Sequence, residues 1–450
     1  MTTPIWDFLE RCRRAEAHRL HMPGHKGRGP LGCEAWDITE IKGADSLYEA
    51  SGIIAESEAN AAALFGSGAT FYSTEGSSQC VKAMLFLALQ NRPAGTPPVI
   101  LAARNVHKSF VHAAALLDFE PAWLWPEGPS SLCACPITAG GLERALAALA
   151  APPAAVYVTS PDYLGNMADI PALAAVCHDR RTPLLVDNAH GAYLRAFSLH
   201  PLDLGADACC DSAHKTLPVL TGGAYLHIAK TAPAAFRENA RPALSLFGST
   251  SPSYLTLASL DLCGRFLAEE GPERIRAAAG RLESLRRELH KWGWPSVGTE
   301  PLKLTLDAAA CGVSGFRAAE ALRAAGNAEP EYADRDHAVL MVSGATEEAA
   351  FRAVERALCG MPLRQPPPRP VLPPARGERV LSVREALFAP REAVPAEESL
   401  GRVCGAPTVS CPPAVPIAVS GERIGEAALA WFRYYDVKTV DVVRTCIHNR

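Results

Sequence analysis

Lys215 sits in Ser212-Ala-His-Lys-Thr216, among small and polar residues. A lysine in such a setting can shed its charge and act as a nucleophilic amine, or join an aldehyde cofactor as an imine. Upstream, Pro183-Leu-Leu-Val-Asp-Asn-Ala-His-Gly191 reads as a short buried strand ending in an acid. A parallel strand delivers Asp187 to its carboxyl end, where open α/β sheets place ligands. An amine for an aldehyde and a carboxylate for a pyridinium nitrogen are two parts that pyridoxal 5′-phosphate asks of a protein. Taken singly, the lysine is a surface residue and the aspartate a helix cap. Their combination with a phosphate-type turn favours the cofactor reading.

That turn lies further upstream. Thr70-Phe-Tyr-Ser73 reads as a strand, Thr74-Glu-Gly-Ser-Ser-Gln79 as a turn, and Cys80–Leu89 as a helix. Backbone N–H groups and the helix dipole face an anion at such a junction, so Gly76, Ser77 and Ser78 form the expected phosphate cradle. The plain alternative is a serine N-cap. His107 follows the strand Pro98–Ala102, where its ring could lie flat against a planar cofactor. A helix cap is the alternative for it. Lys215, His190 and His214 are the candidate acids for returning a proton to a substrate carbanion.

Positioning these residues takes an alternation of strands and helices. Ala154–Ser160 is strand-like, Ile170–Asp179 helical, and the Asp187 strand follows. This rhythm argues for a mainly parallel sheet with right-handed crossovers, an α/β fold. No Gly-x-Gly-x-x-Gly follows a strand, which disfavours a dinucleotide fold. Gly222-Gly223 opens another expected strand, Ala224–Ile228. Helices are expected over Ser57–Phe65, Leu255–Glu269 and Glu273–Trp292. Residues from about Pro295 to Leu358 alternate strand and helix patterns, consistent with a small α/β domain. A proline-rich stretch, Pro362–Pro374, reads as a stiff linker. The expected divisions are 1–45, an N-terminal segment and loop; 46–255, the major domain; 256–361, the small α/β domain; and 375–450, a C-terminal domain.

The 450 residues are 48% hydrophobic and 20% charged, with a net charge of −4. That balance gives no electrostatic case for nucleic acid or a membrane surface as partner. No apolar run approaches the ~20 residues of a membrane span. The first residues carry no basic-then-apolar leader, so the expected location is the cytoplasm. Fourteen cysteines are scattered without a Cys-x-x-Cys pair, and read as reduced thiols rather than a disulfide framework or a zinc site. A site built on Cys133, Cys135 and a histidine is the sharper alternative; the expectation is no metal.

Asp187-Asn-Ala-His190 and Ser212-Ala-His-Lys-Thr-Leu-Pro218 resemble motifs of the fold-type-I pyridoxal-phosphate Orn/Lys/Arg decarboxylases. The resemblance runs from His21-Met-Pro-Gly-His-Lys26 to Pro412-Pro-Ala-Val-Pro416 and is weakest between about residues 265 and 380. It is closest to the short bacterial members, which lack an N-terminal wing domain. It implies an aspartate aminotransferase-like large domain, a smaller α/β domain and a C-terminal domain. It implies decarboxylation of arginine, lysine or ornithine to the amine and CO₂, in polyamine-related metabolism. It places His107 against the cofactor ring and the His21–Lys26 loop near the site. Ser212, His214 and Thr250 join the cofactor-binding set. The Ser249-Thr-Ser-Pro-Ser-Tyr254 loop is expected to complete a partner's site in a homodimer or higher homo-oligomer.

Three departures stand out. Family members commonly carry Glu where this chain has Asn188, Thr where it has Ala213, and Tyr-Pro-Pro-Gly-Ile-Pro where it has Cys411-Pro-Pro-Ala-Val-Pro416. A cationic substrate side chain calls for a distal carboxylate. Glu329, Glu331, Asp334, Glu397 and Glu398 are the candidates, and most such groups are solvated surface charge. The alternative functions are another pyridoxal-phosphate reaction, transamination or elimination, on the same fold, and a non-enzymatic homologue. Retention of both Lys215 and Asp187 speaks against the last.

Overall fold

The computed structural model describes residues 1–128, 130–366, 368–407 and 414–444. The chain forms two units. The first comprises Met1–Pro93, Ile170–Ala279 and Val342–Ala345; the second comprises Ala94–Asp169, Gly280–Met341 and Thr346–Arg450. Seven short strands carry the argument: β1 (Ala69–Ser73), β2 (Val99–Ala103), β3 (Glu120–Leu124), β4 (Ala155–Thr159), β5 (Leu184–Asp187), β6 (Ala208–Asp211) and β7 (Ala224–Ile228). The first four helices are α1 (Pro4–Arg14), α2 (Ile53–Phe65), α3 (Ser77–Gln90) and α4 (Lys108–Leu117).

In the first unit the strand order is β1-β7-β6-β5. β5 and β6 are parallel, while β7 runs antiparallel to both β6 and β1. Every residue of β5, β6 and β7 is buried. A strand covered on both faces needs a nearly continuous apolar run rather than alternation, and Leu184-Leu-Val186 supplies one. The register pairs Asp187 with Cys210. Asn188 and Asp211, one position further along each chain, therefore meet at the same carboxyl edge.

In the second unit β2 lies between β3 and β4 and is parallel to both. A four-stranded antiparallel sheet in the same unit uses β8 (Ser296–Val297), β9 (Lys303–Asp307), β10 (Tyr332–Ala333) and β11 (His337–Met341), in the order β10-β11-β9-β8. Two helices, Gly315–Gly326 and Glu348–Cys359, pack on each other nearby in the chain. A separate cluster gathers Cys404, Ile417, Trp431, Phe432, Val440 and Val442 near the C-terminal end. Buried Arg104, just past β2, donates to the carbonyls of Pro416 at 2.7 Å and Ile417 at 3.0 Å. Its guanidinium also lies 5.1 Å from the Trp123 ring centre and 5.4 Å from that of Trp125, a cation–π arrangement.

The mainly parallel sheet expected from the sequence is present, with β7 reversed. The helix expected from Ser57 begins at Ile53. Asp45 Oδ2 accepts the N–H groups of Gly52 at 2.8 Å and Ile54 at 3.0 Å. That cap comes from outside the local capping pattern, so the sequence did not mark the start. The helix expected from Cys80 begins at Ser77, directly after Gly76. The long helix expected over Glu273–Trp292 spans Gly271–Lys291. The described residues between Pro362 and Pro374 form no helix or strand.

Candidate active site

β5 ends at Asp187, a residue only 3% exposed. Its Oδ1 accepts the Ala189 N–H at 3.2 Å and faces the Cys210 thiol at 3.7 Å. Burial, with Asp187 beside it, pushes that thiol well above its usual range, so it stays a neutral S–H donor. β6 leads into a single helical turn, Ala213–Thr216, that carries Lys215. The lysine is exposed while its neighbours Ala213 and Thr216 are buried. Lys215 Nζ lies 3.0 Å from Nε2 of buried His190, so the strand ends bring these two residues of the first unit together.

His214 is held by the Gly223 carbonyl. Its Nδ1 lies 3.0 Å from the Gly223 carbonyl, and its N–H donates to the same oxygen at 3.2 Å. A carbonyl only accepts, so Nδ1 carries the proton. Burial lowers the His214 pKa, Gly223 works against that, and nearby Lys215 adds to it. His214 therefore ties the lysine turn to the Gly222-Gly223 turn.

The anion cradle forms at the junction of β1 and α3. Gly76 is the N-cap of α3, with φ +73° and ψ 177°, and no side chain caps the helix. That conformation is essentially confined to glycine. A Cβ there would meet nothing within 4 Å, so the space above the turn is open. The Gly76 N–H donates to Gly222 O at 2.7 Å. Ser212 Oγ donates to Ser77 Oγ at 2.7 Å, which joins the lysine turn to the cradle. A helix start without a cap, two serines and a glycine with an open face suit a phosphate. With Asp187 and Lys215 in the same unit, the donor set fits pyridoxal phosphate.

The other expected residues lie as follows. His107, in the second unit, is the N-cap of α4: its Nδ1 accepts the Ser109 N–H at 3.2 Å. Thr250 is exposed in the loop before the helix Tyr254–Ala268. Within the His21–Lys26 loop, His25 Nε2 lies 3.1 Å from Asp37 Oδ2, and Lys26 Nζ donates to the His21 carbonyl at 2.6 Å. The five distal-carboxylate candidates all belong to the second unit. Glu329 pairs with Arg323 and Glu397 with Arg433 at the surface. Glu331 accepts from Tyr163 at 2.9 Å, Asp334 is buried beside His337, and Glu398 is exposed.

Residues 3–306 match the family model for the major domain of Orn/Lys/Arg decarboxylases. The chain belongs to this family. An arginine decarboxylase of Halalkalibacterium halodurans is 30% identical over 464 residues, spanning 96% of this chain and 93% of the relative. An arginine decarboxylase of Bacillus subtilis is 29% identical over 464 residues, spanning 95% and 92%. The solved constitutive lysine decarboxylase of Escherichia coli superposes with a TM-score of 0.77 at 17% identity, over 98% of this chain and 81% of that one. The fold is that of the fold-type-I pyridoxal-phosphate enzymes.

Two family departures acquire a structural reading. Asn188 Nδ2 donates to Asp211 Oδ1 at 2.6 Å. Ala414, where the family carries Gly, has φ +58°, and its carbonyl accepts the Lys108 N–H at 2.9 Å. Residues 411–413 of that motif lie outside the described residues. The sequence reading missed Asp211 and its two histidines. Asp211 Oδ2 lies 3.0 Å from His200 Nε2 and 3.3 Å from His227 Nε2, and all three side chains are fully buried. Burial alone would raise the Asp211 pKa; the two histidines overcome it and hold the carboxyl far below its usual range. The available signal was an acid at the last position of an otherwise apolar strand, directly before Ser212. His200, Cys209 and Asp211 are also the grouping of metal-type ligands found among the described residues. Within it His200 and Asp211 share a hydrogen bond, and burial pushes the Cys209 thiol up. Among the described residues Cys133 and Cys135 fall in no such grouping.

Proposed function

We propose that this chain decarboxylates a basic amino acid, arginine first, with pyridoxal 5′-phosphate as cofactor. The observation that carries the reading is the 3.0 Å approach of Lys215 Nζ to His190 Nε2 beside the strand that ends in Asp187. Arginine leads because the relatives named above that match over more than nine-tenths of both chains are named arginine decarboxylases.

When bound, the cofactor supplies an electron sink for the pair released as CO₂ leaves. Lys215 would contribute the amine that holds the cofactor's aldehyde carbon. The Asp187 carboxylate would hold a proton on the ring nitrogen, because an adjacent anion favours the charged pyridinium. Gly76, Ser77, Ser78 and Ser212 would take the phosphate. His190, in contact with Lys215 Nζ, is placed to share the proton that returns to the substrate Cα. His214 positions the lysine turn. A role for His107 at the ring face rests on the family pattern alone. So do the partner-completing role of Thr250, the homodimer or higher homo-oligomer, and the cytoplasmic location. Among the described residues no helix is long and apolar enough to cross a membrane. The domain divisions expected at residues 45, 255 and 361–375 belong to the same proposal.

The test supplies purified protein and cofactor with arginine, lysine and ornithine in turn, and follows CO₂ and the corresponding amine. Arginine should turn over fastest, and Asp187→Ala should abolish turnover while retaining part of the bound cofactor. A 2-oxo acid product without CO₂ would replace this reading with transamination. Absence of either product from all three substrates would refute it.

A further inference from the structure

Asn188 and Asp211 stand directly after Asp187 and directly before Ser212, so they join the two strand ends that present the site. The joint is tight. Asn188 is fully buried, its backbone N–H donates to the Cys210 carbonyl at 3.0 Å, and its Nδ2 reaches Asp211 Oδ1 at 2.6 Å. A Cβ on Gly191 would fall 2.1 Å from Asn188 Oδ1, so the amide is closed in from that side too. On its other oxygen Asp211 meets His200 and His227. His227 is itself fixed from β1, where Thr70 Oγ1 lies 2.8 Å from its Nδ1. Three segments thus meet at one buried carboxylate, the end of β5, the His200 loop and β7, and β1 braces the last through Thr70.

A carboxylate with no access to water requires donors on both oxygens. Asp211 Oδ2 is served by a histidine, and Oδ1 by the Asn188 amide. A second carboxylate at position 188 would place like charges at hydrogen-bonding distance in a dry site. We propose that Asp211 is a buried positioning anion for the Lys215 site, and that it dictates an amide at position 188. The Asn188–Asp211 bond then locks the Asp187 strand end to the Ser212–Lys215 turn. Ser212 in turn is tied to the phosphate cradle through Ser77. Neither residue touches the cofactor in this scheme. It rests on the cofactor-site reading above for its consequence, while the unfolding measurement stands apart from that reading.

The test is an isosteric exchange: Asn188→Asp, Asp211→Asn and the double variant that swaps the two groups. Thermal unfolding is measured on cofactor-free protein, and the dissociation constant for pyridoxal phosphate is measured by absorbance, with no turnover involved. Asn188→Asp should unfold at lower temperature and weaken cofactor binding about tenfold or more, the range expected for directly coupled neighbours. The swap restores one amide and one carboxylate, and should recover most of both losses. A merely space-filling role would make the two single effects add. A swap no better than the worse single variant overturns the proposal, and so does an Asn188→Asp variant indistinguishable from the parent. If Asn188→Asp fails to fold, a folded swap supports the pairing and an unfolded one refutes it. Parent protein that binds the cofactor but releases no CO₂ leaves the exchange intact and overturns only the decarboxylase reading. Parent protein that does not bind the cofactor still leaves the unfolding cycle to decide the pairing.

Discussion

Lys215 Nζ and His190 Nε2 are 3.0 Å apart, within direct hydrogen-bonding reach. At this distance no water need intervene, and in the proposed mechanism the two groups share a proton. His190→Gln keeps a polar partner but removes the ring. We expect kcat to fall about a hundredfold, the usual scale for a lost acid–base group. Melting temperature should change little. Steady-state kinetics on the preferred amino acid read this directly, and a kcat within about threefold of the parent would remove His190 from the proton path.

Ala414 occupies a left-handed backbone conformation at φ +58°, where a Cβ costs roughly 1–2 kcal/mol. Ala414→Gly relieves that strain but frees the unfolded chain by up to about 1 kcal/mol, so a net gain of around 1 kcal/mol is expected. Chemical denaturation with parent and variant side by side measures it. A destabilised variant would mean that the alanine methyl makes contacts worth more than the strain.

Thr250 is exposed in the loop before the helix Tyr254–Ala268. In the proposed two-fold assembly this loop completes the neighbouring subunit's site. Lys215→Ala and Thr250→Arg should each be inactive alone. Mixed and allowed to exchange subunits, they should regain activity, with at most one working site per mixed dimer. A dead mixture, with exchange shown independently, would assign the loop to its own subunit.

His337 and Asp334 form a buried pair, with Nδ1 3.4 Å from Oδ1. Burial lowers the His337 pKa, but Asp334 outweighs it and raises the pKa above its ordinary value of 6.5. Burial likewise raises the Asp334 pKa, and His337 brings it below its ordinary value of 3.8. The histidine's contribution is therefore complete below its unfolded pKa and lost as pH rises through the raised folded one. The aspartate's is present above its unfolded pKa and lost as pH falls through the lowered folded one. His337→Asn should depress the melting temperature most near about pH 6, and progressively less toward about pH 9. A depression that does not vary with pH would mean that the pair holds no charge.

The residues that the sequence made legible are those whose type is unusual for their setting. An acid at the end of an apolar strand marked Asp187, and a lysine among small residues marked Lys215. Gly76 was legible because the turn before α3 needs a conformation that other residues avoid. What stayed hidden was partnership across segments. His200, Asp211 and His227 come from a loop and two strands, and the pairing of β6 with β7 sets His227 opposite Cys209, diagonal to Asp211. Asp45 likewise caps α2 from outside the local pattern, so the helix start was placed four residues late. Asn188 looked like a departure from a motif until its partner at 211 was in view.

Arg104 sets a buried cation over the rings of Trp123 and Trp125 and grips two carbonyls beyond the proline-rich stretch in sequence. The C-terminal segment is thereby held by its own non-covalent latch as well as by the peptide chain. A nick among the exposed prolines would break the covalent tether and leave this latch in place. The two fragments would travel together through a native column and part only in denaturant.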